Sequence, residues 1–142
     1  MTTQLKEQIL AFGHVNVLAI HPTTIMITKE KELSKQGYCV VAVSADKAAV
    51  DLSPEFKQKL RDPNAKLTML IEVDGLTEQI NAFGSANLDL SSTMDMVVRK
   101  SEFTSDRTLA IKADKAAVEL PRSFVEKLKN PDQKVKITLF LA

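Results

Sequence analysis

The chain has 142 residues, 44% of them apolar and 26% charged, the balance of a water-soluble globular protein. Nineteen basic and 18 acidic residues leave a formal net charge of +1, so no global field steers it toward nucleic acid or an anionic membrane. The lone cysteine, Cys39, excludes an internal disulfide and fits a reducing cytosol. The opening residues have no signal-peptide pattern, and no stretch approaches the roughly 18 consecutive apolar residues of a membrane helix. The expectation is a cytoplasmic protein with no membrane partner.

Taken in order, Gln8 to Phe12 reads as a short strand ending at Gly13, and Thr24–Thr28 as a second. Tyr38 to Val43 is apolar almost without break, which predicts a strand covered on both faces. Ser53-Pro54-Glu55 is a helix start: a hydroxyl cap, a proline at the first turn and an acid favoured by the helix dipole. Phe56 and Leu60 share the face that packs on a sheet, and Asp62-Pro63-Asn64 stops the helix. Leu67, Met69, Ile71 and Val73 alternate as a half-buried strand does, and Asp74-Gly75 is a hairpin signal.

The same series then recurs. Glu7-Gln8-Ile9-Leu10-Ala11-Phe12-Gly13 returns as Glu78-Gln79-Ile80-Asn81-Ala82-Phe83-Gly84. Ala45-Asp46-Lys47-Ala48-Ala49-Val50-Asp51-Leu52 returns as Ala113-Asp114-Lys115-Ala116-Ala117-Val118-Glu119-Leu120, differing only at Asp51 against Glu119. The second half continues with strands at Met96–Val98 and Leu109–Ile111, a helix near Ser123 to Lys129, and a strand through Val135, Ile137, Leu139 and Leu141. The chain reads as one α+β domain, 1–142, made of two β-β-β-α-β repeats, 1–74 and 75–142. A pseudo-two-fold, barrel-like body of about ten strands and two helices is expected, with an open two-layer sandwich as the second choice.

Two groups of residues are candidates for chemistry. Asp46-Lys47 and Asp114-Lys115 each follow an apolar strand, and pseudo-symmetry would set them in related positions, facing one cleft if they bind a polar ligand. The simpler reading is that each Asp caps the following turn and each Lys is solvated. The other group is His14 and Asn16 with His21, Thr23 and Thr24, which holds both histidines of the protein. The second half has Ser85 and Ser92 at the histidine positions, so any histidine function belongs to one half. Two imidazoles with no third ligand make no recognised metal spacing, and neither a metal nor a cofactor is expected. Cys39 reads as a buried structural thiol, and Phe12 and Phe83 as core. Lys57, Lys59, Lys127, Lys129, Lys134 and Lys136 are a solvated face or, less simply, a basic strip for RNA.

At Gly13-His14-Val15-Asn16, His21-Pro22-Thr23-Thr24, Asp95-Met96-Val97-Val98-Arg99-Lys100-Ser101 and Asp114-Lys115-Ala116-Ala117 the chain resembles an uncharacterised archaeal family, domain of unknown function 371. The resemblance covers essentially the whole chain and implies an archaeal, cytoplasmic origin, without bringing an activity or cofactor. Val15 stands where that family usually has proline, and Ser85 and Ser92 where histidine is expected. The leading functional expectation is a small binding or assembly module without catalysis, taking a small polar ligand or a protein partner. The alternatives are an enzyme that uses His14, Asn16 and His21 with an Asp-Lys pair, and an RNA-binding accessory factor.

Overall fold

In the computed structural model, which describes residues 4–142, the strands are β1 (Leu5–Phe12), β2 (Thr24–Thr28), β3 (Val40–Ala42) and β4 (Lys66–Val73), followed by β5 (Leu76–Phe83), β6 (Asp95–Arg99), β7 (Thr108–Ala110) and β8 (Lys134–Leu141). Helix α1 (Pro54–Leu60) precedes β4 and helix α2 (Arg122–Leu128) precedes β8; a short 3-10 turn leads into each. The order β-β-β-turn-α-β therefore occurs over 5–73 and again over 76–141. None of the helices among the described residues is long and apolar enough to cross a membrane.

The strands form two four-stranded sheets. The first, in the order β1-β8-β4-β5, is antiparallel throughout, with eight paired positions along β1 and β8. The second, β3-β2-β6-β7, pairs β2 with β6 antiparallel in its centre and carries a parallel strand at each edge. Their inner faces share one apolar core that runs from Ile9 to Leu141 and includes Ile25, Ile27, Met96 and Leu109. The helices plug opposite ends of this pair of sheets. Phe56 and Leu60 of α1, and Phe124, Val125 and Leu128 of α2, are buried in the same core.

The expected ten-stranded barrel is not formed: among the described residues there are eight strands in two sheets and no closed barrel. At each seam only one residue pair bridges the sheets, Phe12 with Val43 and Phe83 with Ile111. The next residue, Ser44 or Lys112, takes a left-handed backbone (φ 53° and 54°), which turns the chain away before a ladder can extend. The segments long enough to supply further strands, 13–23 and 84–94, are instead docked as loops on the ends of α2 and α1. His14 donates its N–H to the Leu128 carbonyl (2.9 Å), and Ser85 to the Leu60 carbonyl (2.9 Å). Gly13 and Gly84 are required there, because a Cβ would fall on the carbonyl oxygens of Leu128 and Asn130, or of Leu60 and Asp62.

Local expectations fared unevenly. Ser53 Oγ accepts the Phe56 N–H (3.1 Å) and caps α1 as its sequence requires. Asp74-Gly75 makes the two-residue hairpin between β4 and β5, with φ values of 47° and 77°. Strand β3 is buried at all three positions, as an edge strand paired in parallel and overlaid by a crossover should be. Phe12 and Phe83 are a correction. They alternate outward on the first sheet, and Phe83 is 37% exposed rather than in the core. Cys39 is half-buried, not fully buried.

Candidate functional site

The two Asp-Lys segments lie along opposite edges of the first sheet, so they do not face one cleft. With β1 and β5 three strand spacings apart, they are separated by about 14 Å across the sheet alone. Each aspartate completes the pairing that the seam leaves off. Asp46 donates its N–H to the Leu10 carbonyl (3.0 Å) and accepts the Leu10 N–H on its carboxylate (3.0 Å). Asp114 does the same with Asn81 (2.9 and 2.9 Å), and also accepts from the Asn81 side-chain amide (2.9 Å). The lysines are part-exposed and each pairs with an acid, Lys47 with Glu7 (3.0 Å) and Lys115 with Glu78 (3.5 Å).

Nor do these aspartates cap the following turns. That task falls to the last acid of each copy. Asp51 accepts the Ala48 N–H (2.9 Å) and Glu119 the Ala116 N–H (3.1 Å). Hydrogen bonds from Lys29 to Asp51 and from Lys100 to Glu119 hold both carboxyls below the ordinary range, with the turn N–H adding to the effect.

The histidines occupy two corners of the 13–23 connector. His14 Nδ1 accepts the Asn16 N–H (3.0 Å), and His21 Nδ1 accepts the Thr23 N–H (3.1 Å). Ser85 and Ser92 accept on Oγ from the residues two positions on, Asn87 and Met94 (3.2 and 3.3 Å). Imidazole and hydroxyl thus close the same kind of local turn, which places the proton of each neutral histidine on Nε2. Asn16 Nδ2 donates to the Leu33 carbonyl (2.7 Å), which ties this connector to the crossover between β2 and β3. Arg122 anchors the connector from the other side, donating to the carbonyls of Leu18 (3.1 Å) and Ala19 (2.9 Å) as well as to three in its own turn.

His21 leads directly onto the outer face of the second sheet. Thr23 Oγ1 lies 3.4 Å from His21 Nδ1 and 3.3 Å from the Thr24 hydroxyl. Thr24 pairs across β2 and β6 with Arg99, and Lys100 donates its N–H to the Thr23 carbonyl (2.8 Å). Arg99 is held in place by Thr108 Oγ1 (3.0 Å), Ser105 Oγ (3.4 Å) and the ring of Phe103, 4.9 Å from its guanidinium carbon. Arg107 comes from the neighbouring crossover and bonds Asp95 (3.2 Å).

Burial, and after it the charge of Arg107, lowers the pKa of Arg99, and among the described residues no carboxylate forms an ion pair with it. Burial pushes the Cys39 thiol up against the opposing pull of the two arginines, so it is a poor nucleophile. Arg107 is thus paired with Asp95 while Arg99 is held only by hydroxyls and a ring, on a half-desolvated floor. Forked donors of this kind suit an anion with oxygen acceptors. Arg99 was visible only as part of the Asp95–Ser101 run, and Arg107 carried no signal. No local spacing marks two arginines on different segments as neighbours.

The model of the family described as domain of unknown function (DUF371) matches residues 9–142. The chain belongs to that family. It is also similar to an uncharacterized protein, MJ0206, of the archaeon Methanocaldococcus jannaschii. The two are 46% identical over 121 residues, covering 85% of this chain and 89% of that one.

Proposed function

We propose that this family member is a non-catalytic binding module whose ligand is a small anion, seated on the outer face of the second sheet at Arg99 and Arg107. The observation that carries the reading is Arg99: half-buried, oriented by three side chains, and beside a like charge with no carboxylate of its own. A phosphate or carboxylate would supply the missing charge, with His21, Thr23 and Thr24 at the rim. In the same reading the chain is two repeats, 1–74 and 75–142, of one ancestral unit, and the β2–β6 pair marks their pseudo-two-fold. The recurring element order and the matched seams, turns and glycines support this. A cytoplasmic location goes with it, supported by the free thiol of Cys39.

Titration calorimetry with inorganic phosphate, citrate and a nucleoside monophosphate tests the proposal. Saturable binding of at least one, weakened at least tenfold in Arg99→Ala and retained in Lys59→Ala, is the expected result. Binding indifferent to Arg99→Ala and Arg107→Ala would overturn it. So would catalytic turnover that disappears in His21→Ala, which would restore the enzyme reading of the histidine connector.

A further inference from the structure

Among the described residues no helix or crossover covers the outer face of the first sheet, and its composition departs from a plain solvated surface. The outward residues fall in rows set by the strand register. Lys6, Phe140, Thr68 and Asn81 form one row, and Gln8, Thr138, Leu70 and Gln79 the next. Lys66 lies opposite Phe83 at one end, and Lys134 opposite Phe12 at the other. A shallow cavity of about 360 Å³ opens on this face, lined by Gln4, Thr68, Leu70, Gln79 and Phe140. Four lysines, Lys6, Lys66, Lys134 and Lys136, point outward here; of the acids, Glu72 pairs with Lys136 (3.9 Å) and Asp114 reaches the edge of the face at the Asn81 amide (2.9 Å). The near-neutral whole chain conceals this local excess.

We infer that this face binds single-stranded nucleic acid, with one base stacked on Phe140 in the cavity and another on Phe83. Three features converge on that ligand. Phe83 and Phe140 project from strands two apart and lie roughly 12 Å apart by strand spacing and rise, a reach of about two nucleotides of extended chain. Lys6 Nζ stands over the Phe140 ring, 5.8 Å from its centre, so a base that stacks there displaces the ammonium toward its own phosphate. Gln79 borders the same cavity; its Nε2 donates to Asn81 Oδ1 (3.1 Å), which leaves its side-chain carbonyl to accept from a base edge without demanding one base. Aromatic stacking with lysine contacts to the backbone is how sequence-tolerant single-strand binding works. A duplex would present no free base to the cavity. An acidic protein would use the lysines but not the phenylalanines.

The face is separate from the arginine floor, which lies on the other sheet, so the two proposals fail independently. Fluorescence anisotropy of a labelled 12-nucleotide single-stranded RNA of mixed sequence, titrated with the whole chain, tests this one. The expected result is binding whose log affinity falls with log salt at a slope of roughly −2 to −3, the value for about four phosphate contacts on a single strand. Phe140→Ala should weaken binding about 5- to 100-fold with the slope unchanged. Lys134→Gln should reduce the slope by about 0.7. Phe140→Leu, which keeps apolar packing and removes the ring, guards against a folding artefact and should weaken binding nearly as much. No binding at low salt overturns the inference. So does equal affinity for duplex RNA or poly-glutamate, or affinity insensitive to both Phe140 variants.

Discussion

The two sheets have the same number of strands yet present opposite outer faces, and the cause is their connections. Antiparallel neighbours β4 and β5 in the first sheet are joined by Asp74-Gly75 alone, and among the described residues no connection crosses the outer face of that sheet. In the second sheet, β2–β3 and β6–β7 are parallel, and each needs a crossover, 29–39 and 100–107. Those crossovers lie over the outward side, burying Val40, Val97 and Thr108 and delivering Arg107, Ser105 and Phe103 to Arg99. Strand direction thus decides which face carries crossovers and a half-buried polar floor and which carries none among the described residues.

The contrast can be broken at the connectors between the sheets. Gly13→Ala or Gly84→Ala puts a methyl onto helix-end carbonyls that cannot move far, and should cost about 3 kcal/mol. Urea unfolding measures this, and a loss below about 0.5 kcal/mol would mean that the loops are not docked as described. At the seams, Asp46→Ala and Asp114→Ala each remove a carboxylate bond to a backbone N–H and should cost about 1 kcal/mol. Hydrogen exchange should then speed up at the amides of Leu10 and Asn81 while the β4–β8 ladder stays protected. Uniform exchange across the first sheet would show that the seams contribute nothing local.

Smaller effects sharpen the comparison between the histidine and serine connectors. His14→Ser and His21→Ser retain an acceptor for the N–H two residues on, so each should stay within about 0.5 kcal/mol of the parent in thermal unfolding. If either serine variant abolishes anion binding while folding normally, the imidazole has a role beyond the turn. The least effect is expected from pH. Asp51 and Glu119 have depressed pKa values when folded, so their contribution is present above the ordinary carboxylate range and lost as pH falls through the folded values. Because both are exposed, the loss is small; Asp51→Asn with Glu119→Gln should flatten the acid limb of stability against pH. An unchanged acid limb would show that these caps are not titrating.

The local chemistry of the chain was legible without coordinates. Ser53-Pro54, Asp74-Gly75 and the alternation of Leu67 to Val73 each specify their element through short-range sterics, capping or periodicity, whereas of the apolar run Tyr38 to Val43 only Val40–Ala42 is strand and Tyr38 lies exposed in a turn. The recurrence of the Ala-Asp-Lys-Ala-Ala segment was equally plain, but its work was not. Whether Asp46 caps its own turn or reaches across to Leu10 depends on a partner 36 positions away. The same holds for Phe83, whose face is set by the register of β5 on β4, and for Arg99 and Arg107, which meet only because β6 and β7 run in parallel. Sequence by itself determined the elements and their order, because those rest on interactions between near neighbours. Tertiary structure decided which faces are open and which charges meet, because strand direction and register are set only when distant segments pair.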